Sequence, residues 1–317
     1  MVTHAIFDSA DQWVMAGENS LAFKLIDLGF EMFFVNFRGN KFSCRHRVMD
    51  PSSAPFWDYS FQEMALQDMR ASFEFIISQT GVEKIDLLGH SQGTSAAFAF
   101  LSSYPEFHPR IGRFVAVAPV VFMHGFRSQP GYYYWLSTHG VVKALQLAGI
   151  NHLFTHSWNF DWLTDLVLRR FCRIAKEVCE YIINKIASKS SDQIDFDLLT
   201  TYLKHFPSRS SLRSLEHYAQ MIKADKKEFT MFDFGEARNQ KEYNQPTPPS
   251  FPVEGINIPI FLYAGDSDLF SPVENILFLQ ETLPKAKLRW FKKWGHIEWF
   301  CGKHMEHFFD SVIEDLT

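Results

Sequence analysis

Residues Gly89-His90-Ser91-Gln92-Gly93 stand where an apolar run, Lys84-Ile85-Asp86-Leu87-Leu88, gives way to a small-residue run, Thr94-Ser95-Ala96-Ala97-Phe98. The pattern predicts a strand, a sharp turn and a helix, with glycines two residues either side of the serine so that strand and helix can approach without a clash. A serine at such a turn has a strained backbone and an exposed hydroxyl. That hydroxyl becomes a useful nucleophile only when a histidine takes its proton and a carboxylate orients the histidine, in the chain order Ser, Asp, His for a turn of this kind.

Both partners have candidates. Asp268 lies in Gly265-Asp266-Ser267-Asp268-Leu269-Phe270, just past a predicted strand, where a loop at the carboxyl edge of a sheet reaches a site. Asp266 is its competitor, and the same acidic loop reads also as a solvated turn. His296, in Lys293-Trp294-Gly295-His296-Ile297-Glu298, follows the last predicted strand and precedes the terminal helix. Acyl transfer further requires two backbone N–H groups aimed at the developing oxyanion, one from the residue after the nucleophile, Gln92, and one from an earlier loop. His4-Ala5-Ile6-Phe7 is the candidate for that loop. Glu298, His304, Glu306 and His307 contain metal-ligating types, but on a terminal helix they read as a wet face, so no metal site is expected.

The elements that must position these groups alternate. A helix is predicted over Ser20–Leu28 before Gly29, a buried strand over Glu31–Asn36, and a helix over Gln62–Gln79 before Gly81. The turn strand Ile85–Leu88, the helix Gln92–Ser103 and a strand over Phe114–Ala118 follow. Strands alternating with helices imply a parallel sheet covered on both faces. The alternation then stops for about 140 residues, where helical segments such as Trp162–Lys185 and Ser211–Lys223 lead into Gln245-Pro246-Thr247-Pro248-Pro249. Strand character returns at Ile258–Tyr263 and Ala286–Phe291, with helices over Val273–Thr282 and Lys303–Asp315. The expected organisation is therefore a core from 1–118 and 258–317 interrupted by a cap at 119–257.

Composition narrows the partners. A formal charge of -5 without a long basic run argues against nucleic acid. No apolar run reaches the roughly 18 residues that a bilayer span needs, and Met1-Val2-Thr3-His4 opens without a charged leader. The 33 phenylalanines and 8 tryptophans suit either a large core or a pocket for a greasy ligand. Cys172 and Cys179 are seven apart, about 10 Å along a continuous helix, so a disulfide between them requires a break in that helix.

These residues resemble the acid lipase family, the gastric and lysosomal acid lipases and their relatives among the α/β-hydrolases. HAIFDSADQW and ENSLAF look like that family's HGLL loop, its tryptophan and its NNSLAF stretch, and NFRGN looks like its NSRGN. FWDYSFQEMALQDM, GHSQGT, FDFG, YNQPTPP and GHIEWF fall in family order and spacing. The resemblance implies an α/β-hydrolase fold with a mainly helical cap inserted in its mostly parallel sheet. It implies Ser91 as nucleophile, Asp268 as orienting acid, His296 as base, the amides of Ile6 and Gln92 as the oxyanion hole, and no cofactor. A fatty acyl ester such as an acylglycerol or sterol ester is the implied substrate, with transient contact at a lipid interface and a secreted or lysosomal location. An inactive relative that binds lipid or a partner, and an esterase for short soluble esters, are the competing readings.

Four departures bear on these expectations. Ala5 replaces the family's glycine, which disturbs the oxyanion loop if that position needs a positive φ. Glu298 stands where aspartate is usual, and the loop after Asp268 is one residue shorter. The family's chains also carry a signal peptide and two strands before this loop, plus most of a third inside the sheet. The expectation is a sheet lacking its N-terminal strands, from an incomplete gene product or a shrunken re-pairing, since each buried unpaired backbone group costs about 1–3 kcal/mol.

Overall fold

Strand β1 (Val2–Thr3) lies between β2 (Phe34–Val35) and β3 (Ile85–His90), and the sheet continues through β4 (Ile111–Val117), β7 (Ile260–Gly265) and β8 (Lys287–Phe291). The order is β2-β1-β3-β4-β7-β8, and every pairing is parallel. The computed structural model describes residues 1–126, 139–154, 171–189 and 192–317.

The two-residue period of the strands fills two core layers. Phe114, Ala116, Ile260 and Leu262 pack into one with Phe61, Phe73, Phe98 and Phe100. Val115, Val117, Phe261 and Tyr263 point into the other with Leu21, Leu25, Trp299 and Phe308. Much of the phenylalanine content is thus core: Phe37, Phe61, Phe73, Phe98, Phe100, Phe114, Phe126 and Phe229 are all fully buried.

The inner position beside β3 is filled by two residues. Val2 N–H donates to Phe33 O at 2.8 Å and Leu88 N–H to Met1 O at 3.0 Å, so β1 pairs on both sides. The strand expected over 31–36 forms only at Phe34–Val35, because its one ladder partner among the described residues is the two-residue β1.

Helices flank the sheet at Leu21–Asp27, Gln92–Ser103, Val273–Thr282 and Glu306–Leu316, close to their predicted spans. The helix predicted from Gln62 begins at Phe61, capped by Ser60 and Glu63 in a reciprocal box, passes through a π-helical stretch at Met64–Met69 and ends at Gly81, whose φ is 69°. Between β4 and β7 the described residues carry helices His139–Leu147, Phe171–Ile174, Lys176–Ile186, Phe196–Tyr202, Leu212–Ala224 and Glu236–Tyr243. They also hold the antiparallel pair β5 (His152–Leu153) and β6 (Ser210–Ser211). Of the helix predicted over 162–185, residues 162–170 lie outside the described residues. The rest is broken at Ala175, and Cys172 and Cys179 form a disulfide across the break with their Cα atoms 5.0 Å apart.

Candidate active site

Ser91 sits between the last residue of β3 and the first of helix Gln92–Ser103 with φ 54° and ψ -121°. A non-glycine residue there costs about 1–3 kcal/mol and persists only where its surroundings hold it. Here its N–H donates to Val117 O at 3.1 Å, and its carbonyl accepts from the Thr94 hydroxyl at 2.6 Å. The flanking glycines are required by close approach. A Cβ on Gly93 would lie 2.7 Å from Thr3 Oγ1 and 3.0 Å from His4 O, and one on Gly89 would lie 3.0 Å from Thr3 Oγ1. Strand β1 is thereby pressed against the turn, which delivers loop 4–7 beside the serine.

Three of the expected residues form one hydrogen-bonded chain. His296 Nε2 lies 2.7 Å from Ser91 Oγ, and His296 Nδ1 lies 2.8 Å and 3.0 Å from the two Asp268 oxygens. All three are buried. A carboxylate only accepts, so Nδ1 carries the proton and Nε2 is left to accept from the serine hydroxyl. Asp268 is fixed in turn by the N–H groups of Phe270 and Ser271, which donate to Oδ1 at 2.8 Å and 3.0 Å. Asp266, the competitor, is exposed and accepts from Lys293 N–H and the Ser267 hydroxyl, so it shapes the loop instead.

Ile6 and Gln92 are the expected oxyanion donors, and among the described residues neither N–H meets an acceptor. Gln92 is the first residue of its helix, where the backbone N–H has no partner within the helix. In the earlier loop the left-handed residue is Phe7, with φ 57°, and not Ala5, so the alanine is no obstacle at its position. Ala5 N–H donates to Gln12 Oε1 at 3.1 Å. His4 Nε2 accepts from Phe37 N–H and the Asn40 amide, both at 3.1 Å, while Nδ1 donates to Ala5 O at 2.8 Å. Burial pushes the His4 pKa down to about 4, so the ring stays neutral as this pattern demands.

Sequence reasoning missed several groups. His90 Nε2 donates to His296 O at 3.1 Å, and burial followed by the nearby His296 ring drives its pKa well down. Glu298 is fully buried; one oxygen accepts from Ile297 N–H at 3.2 Å, the other has no partner among the described residues, and burial raises its pKa to about 7. In the sequence it stood out only as a departure from the family's aspartate and as one of several metal-ligating residue types near the C-terminus. His304, Glu306 and His307 are exposed, apart from Glu298. A cavity of about 680 Å³ lined by Trp57, Arg213, Phe232 and Arg238 lies apart from the triad, and its Arg213 is already paired with Asp58 at 2.6 Å.

Residues 1–298 match the model of the alpha/beta hydrolase fold family. Lysosomal acid lipase/cholesteryl ester hydrolase of Macaca fascicularis is 30% identical over 314 residues, 94% of this chain and 74% of that protein. Gastric triacylglycerol lipase of Mus musculus is 32% identical over 284 residues, 89% of this chain and 70% of that protein. The chain is an α/β-hydrolase of the acid lipase family. Among solved structures, this acid lipase relative superposes on the monoacylglycerol lipase of Paleococcus ferrophilus with a TM-score of 0.57 at 17% identity, covering 99% of this chain and 91% of that one. An epoxide hydrolase from Bacillus megaterium aligns with a TM-score of 0.58 at 14% identity, covering 100% and 92%. At these identities the two share its fold alone. Among the described residues no helix is long and apolar enough to cross a membrane.

Proposed function

We propose that this acid lipase-family chain hydrolyses carboxylic esters of fatty acids, with Ser91, His296 and Asp268 as its triad. The observation that carries the reading is the unbroken chain of short hydrogen bonds from Ser91 Oγ through His296 to Asp268. His296 Nε2 takes the hydroxyl proton as Ser91 attacks the ester carbonyl, and the N–H groups of Ile6 and Gln92 hold the oxyanion. His296⁺ then protonates the departing alcohol. Water attacks the acyl-enzyme with His296 again as base, which releases the acid and restores the serine. The reaction balances without a cofactor or metal.

Residues 119–257 are proposed as the cap over the acyl pocket. Phe270, 4.8 Å from the His296 ring, supplies apolar surface beside the triad, and Phe7 of the oxyanion loop meets Phe154 of the proposed cap in edge contact at 5.0 Å, which supports a fatty acyl substrate. Acylglycerols and sterol esters are the proposed substrates, as in the names of the relatives. Transient contact with a lipid interface fits the exposed Phe171, Ile174, Val178, Tyr181 and Ile182 of this segment. The Cys172–Cys179 disulfide fits an oxidising compartment, secreted or lysosomal.

The test is hydrolysis of an acyl ester series from short soluble chains to emulsified long ones, with Ser91→Ala in parallel. Activity rising with chain length and lost by at least about 10⁴-fold in Ser91→Ala is expected. Folded wild-type protein without activity on any chain length would falsify the hydrolase reading, and activity confined to short soluble esters would replace the lipase with an esterase.

A further inference from the structure

The oxyanion loop is gripped from the cap side by one short stretch of chain. Tyr202, the last residue of helix Phe196–Tyr202, donates its hydroxyl to Asp8 Oδ2 at 2.7 Å. Asp8 Oδ1 accepts from Ser9 N–H at 2.8 Å. Ser208 N–H donates to Phe7 O at 2.6 Å, and its hydroxyl accepts from Lys41 N–H at 3.0 Å. His205 Nδ1 donates to Asp11 at 2.8 Å, and Lys41 Nζ bridges Asp11 to His205 O. Tyr202, Ser208 and Asp8 are all buried.

These ties fall where the loop is strained. Phe7, at φ 57°, follows Ile6 directly, and a side-chain-bearing residue stays in that region only when its neighbours hold it. Its carbonyl is held by Ser208, and the next residue by Tyr202. The strand side of the loop is pinned by His4 and Gln12, so the Ile6 amide lies between two sets of restraints, one from the core and one from the cap.

We infer that segment 202–209 is a clamp that sets the oxyanion hole, with Tyr202 as a positioning residue acting through Asp8. The inference rests on the assignment of the Ile6 amide to the hole. Its consequence is that cap position and oxyanion geometry are coupled: shifting 202–209 releases the strained turn that aims the donor. Burying the Asp8 carboxylate is otherwise unfavourable, since burial raises its pKa to about 7 against the opposing effects of Tyr202 and Lys41. A costly group kept at this point, and bonded across to the cap, is what a clamp requires.

Tyr202→Phe in the full chain removes one hydroxyl. On a soluble short-chain ester kcat is expected to fall about tenfold with KM changed less than about twofold, the signature of an interaction made in the transition state. The inhibition constant of an alkylboronic acid, whose tetrahedral adduct with Ser91 places an oxygen in the hole, rises by the same factor. Asp8→Asn keeps a hydrogen-bonding pair with Tyr202 and retains kcat within about threefold. Should Tyr202→Phe not fold, His205→Ala at the half-exposed end of the clamp gives the same split at about threefold. Unchanged kcat and boronic acid affinity in folded Tyr202→Phe or, in its place, His205→Ala, or a change in KM alone, overturns the clamp while leaving the hydrolase reading intact. Wild-type protein that neither hydrolyses the ester nor binds the boronic acid overturns both.

Discussion

The nucleophile turn and the oxyanion loop lie side by side, and both hold a residue in a strained left-handed conformation, yet they are held in different ways. Ser91 is fixed by its own strand and helix, by Thr94 three residues on and by Val117 of the adjacent strand. Phe7 belongs to no regular element and depends on side chains or amides from Gln12, Phe37, Asn40, Tyr202 and Ser208. The proposed nucleophile is placed by local secondary structure, whereas the proposed oxyanion donor is placed by tertiary contacts. Damage to the loop should therefore lower the rate in graded steps, while damage to the triad should abolish it.

The largest effect sharpens the triad side. Asp268→Asn retains the two backbone donors as neighbours but presents an amide to His296 Nδ1, favouring the wrong tautomer, and kcat is expected to fall about 10⁴-fold with KM little changed. Steady-state kinetics checks it, and a loss below tenfold would shift the orienting role away from Asp268.

On the loop side, His4→Leu leaves the buried Phe37 N–H without its acceptor and the Asn40 amide with Asn36 Oδ1 alone. Stability is expected to fall by about 1–3 kcal/mol and kcat by up to about 10²-fold through the misplaced Ile6 amide. Denaturant melts and kinetics on one preparation separate the two. A stability loss with kcat unchanged would break the comparison, because the loop would then be holding its shape without His4.

The last prediction, which leaves the rate aside, compares two buried carboxyls, Asp268 and Glu298. Asp268 is satisfied by two backbone N–H groups and the imidazole, whereas Glu298 is buried with an oxygen unpaired among the described residues. Its folded pKa, about 7, lies above the ordinary 4.5. Between those values the folded state holds a proton that the unfolded state releases, so its contribution is full below the lower value and lost as pH rises through the upper one. That loss is on the order of 3 kcal/mol. Glu298→Gln cannot ionise, so its Tm relative to wild type should climb from pH 4.5 to 8. A Tm difference flat with pH would show that the Glu298 carboxyl ionises normally.

Much of this site was legible in the chain. The triad candidates follow strands whose apolar runs and turn residues stand out, and helices such as Gln92–Ser103 and Val273–Thr282 fall on their predicted spans because their patterns are local. The disulfide was legible only as a condition, a break between Cys172 and Cys179, which the chain meets at Ala175. His90, Tyr202 and Asp8 carried no signal, since a histidine inside the elbow motif, a helix-end tyrosine and an aspartate near a turn are ordinary residues until their partners are known.

What the sequence determined by itself was the order of the longer strands and flanking helices, the serine between two glycines, and the candidate positions for its acid and base, because hydrophobic period and turn chemistry act over a few residues. Only the tertiary structure decided which of Asp266 and Asp268 meets His296, that Phe7 and not Ala5 takes the positive φ, and that Tyr202 reaches Asp8 across 194 positions of chain. A hydrogen bond requires its partners within about 3 Å, and sequence separation carries no information about that distance once the chain has folded back on itself.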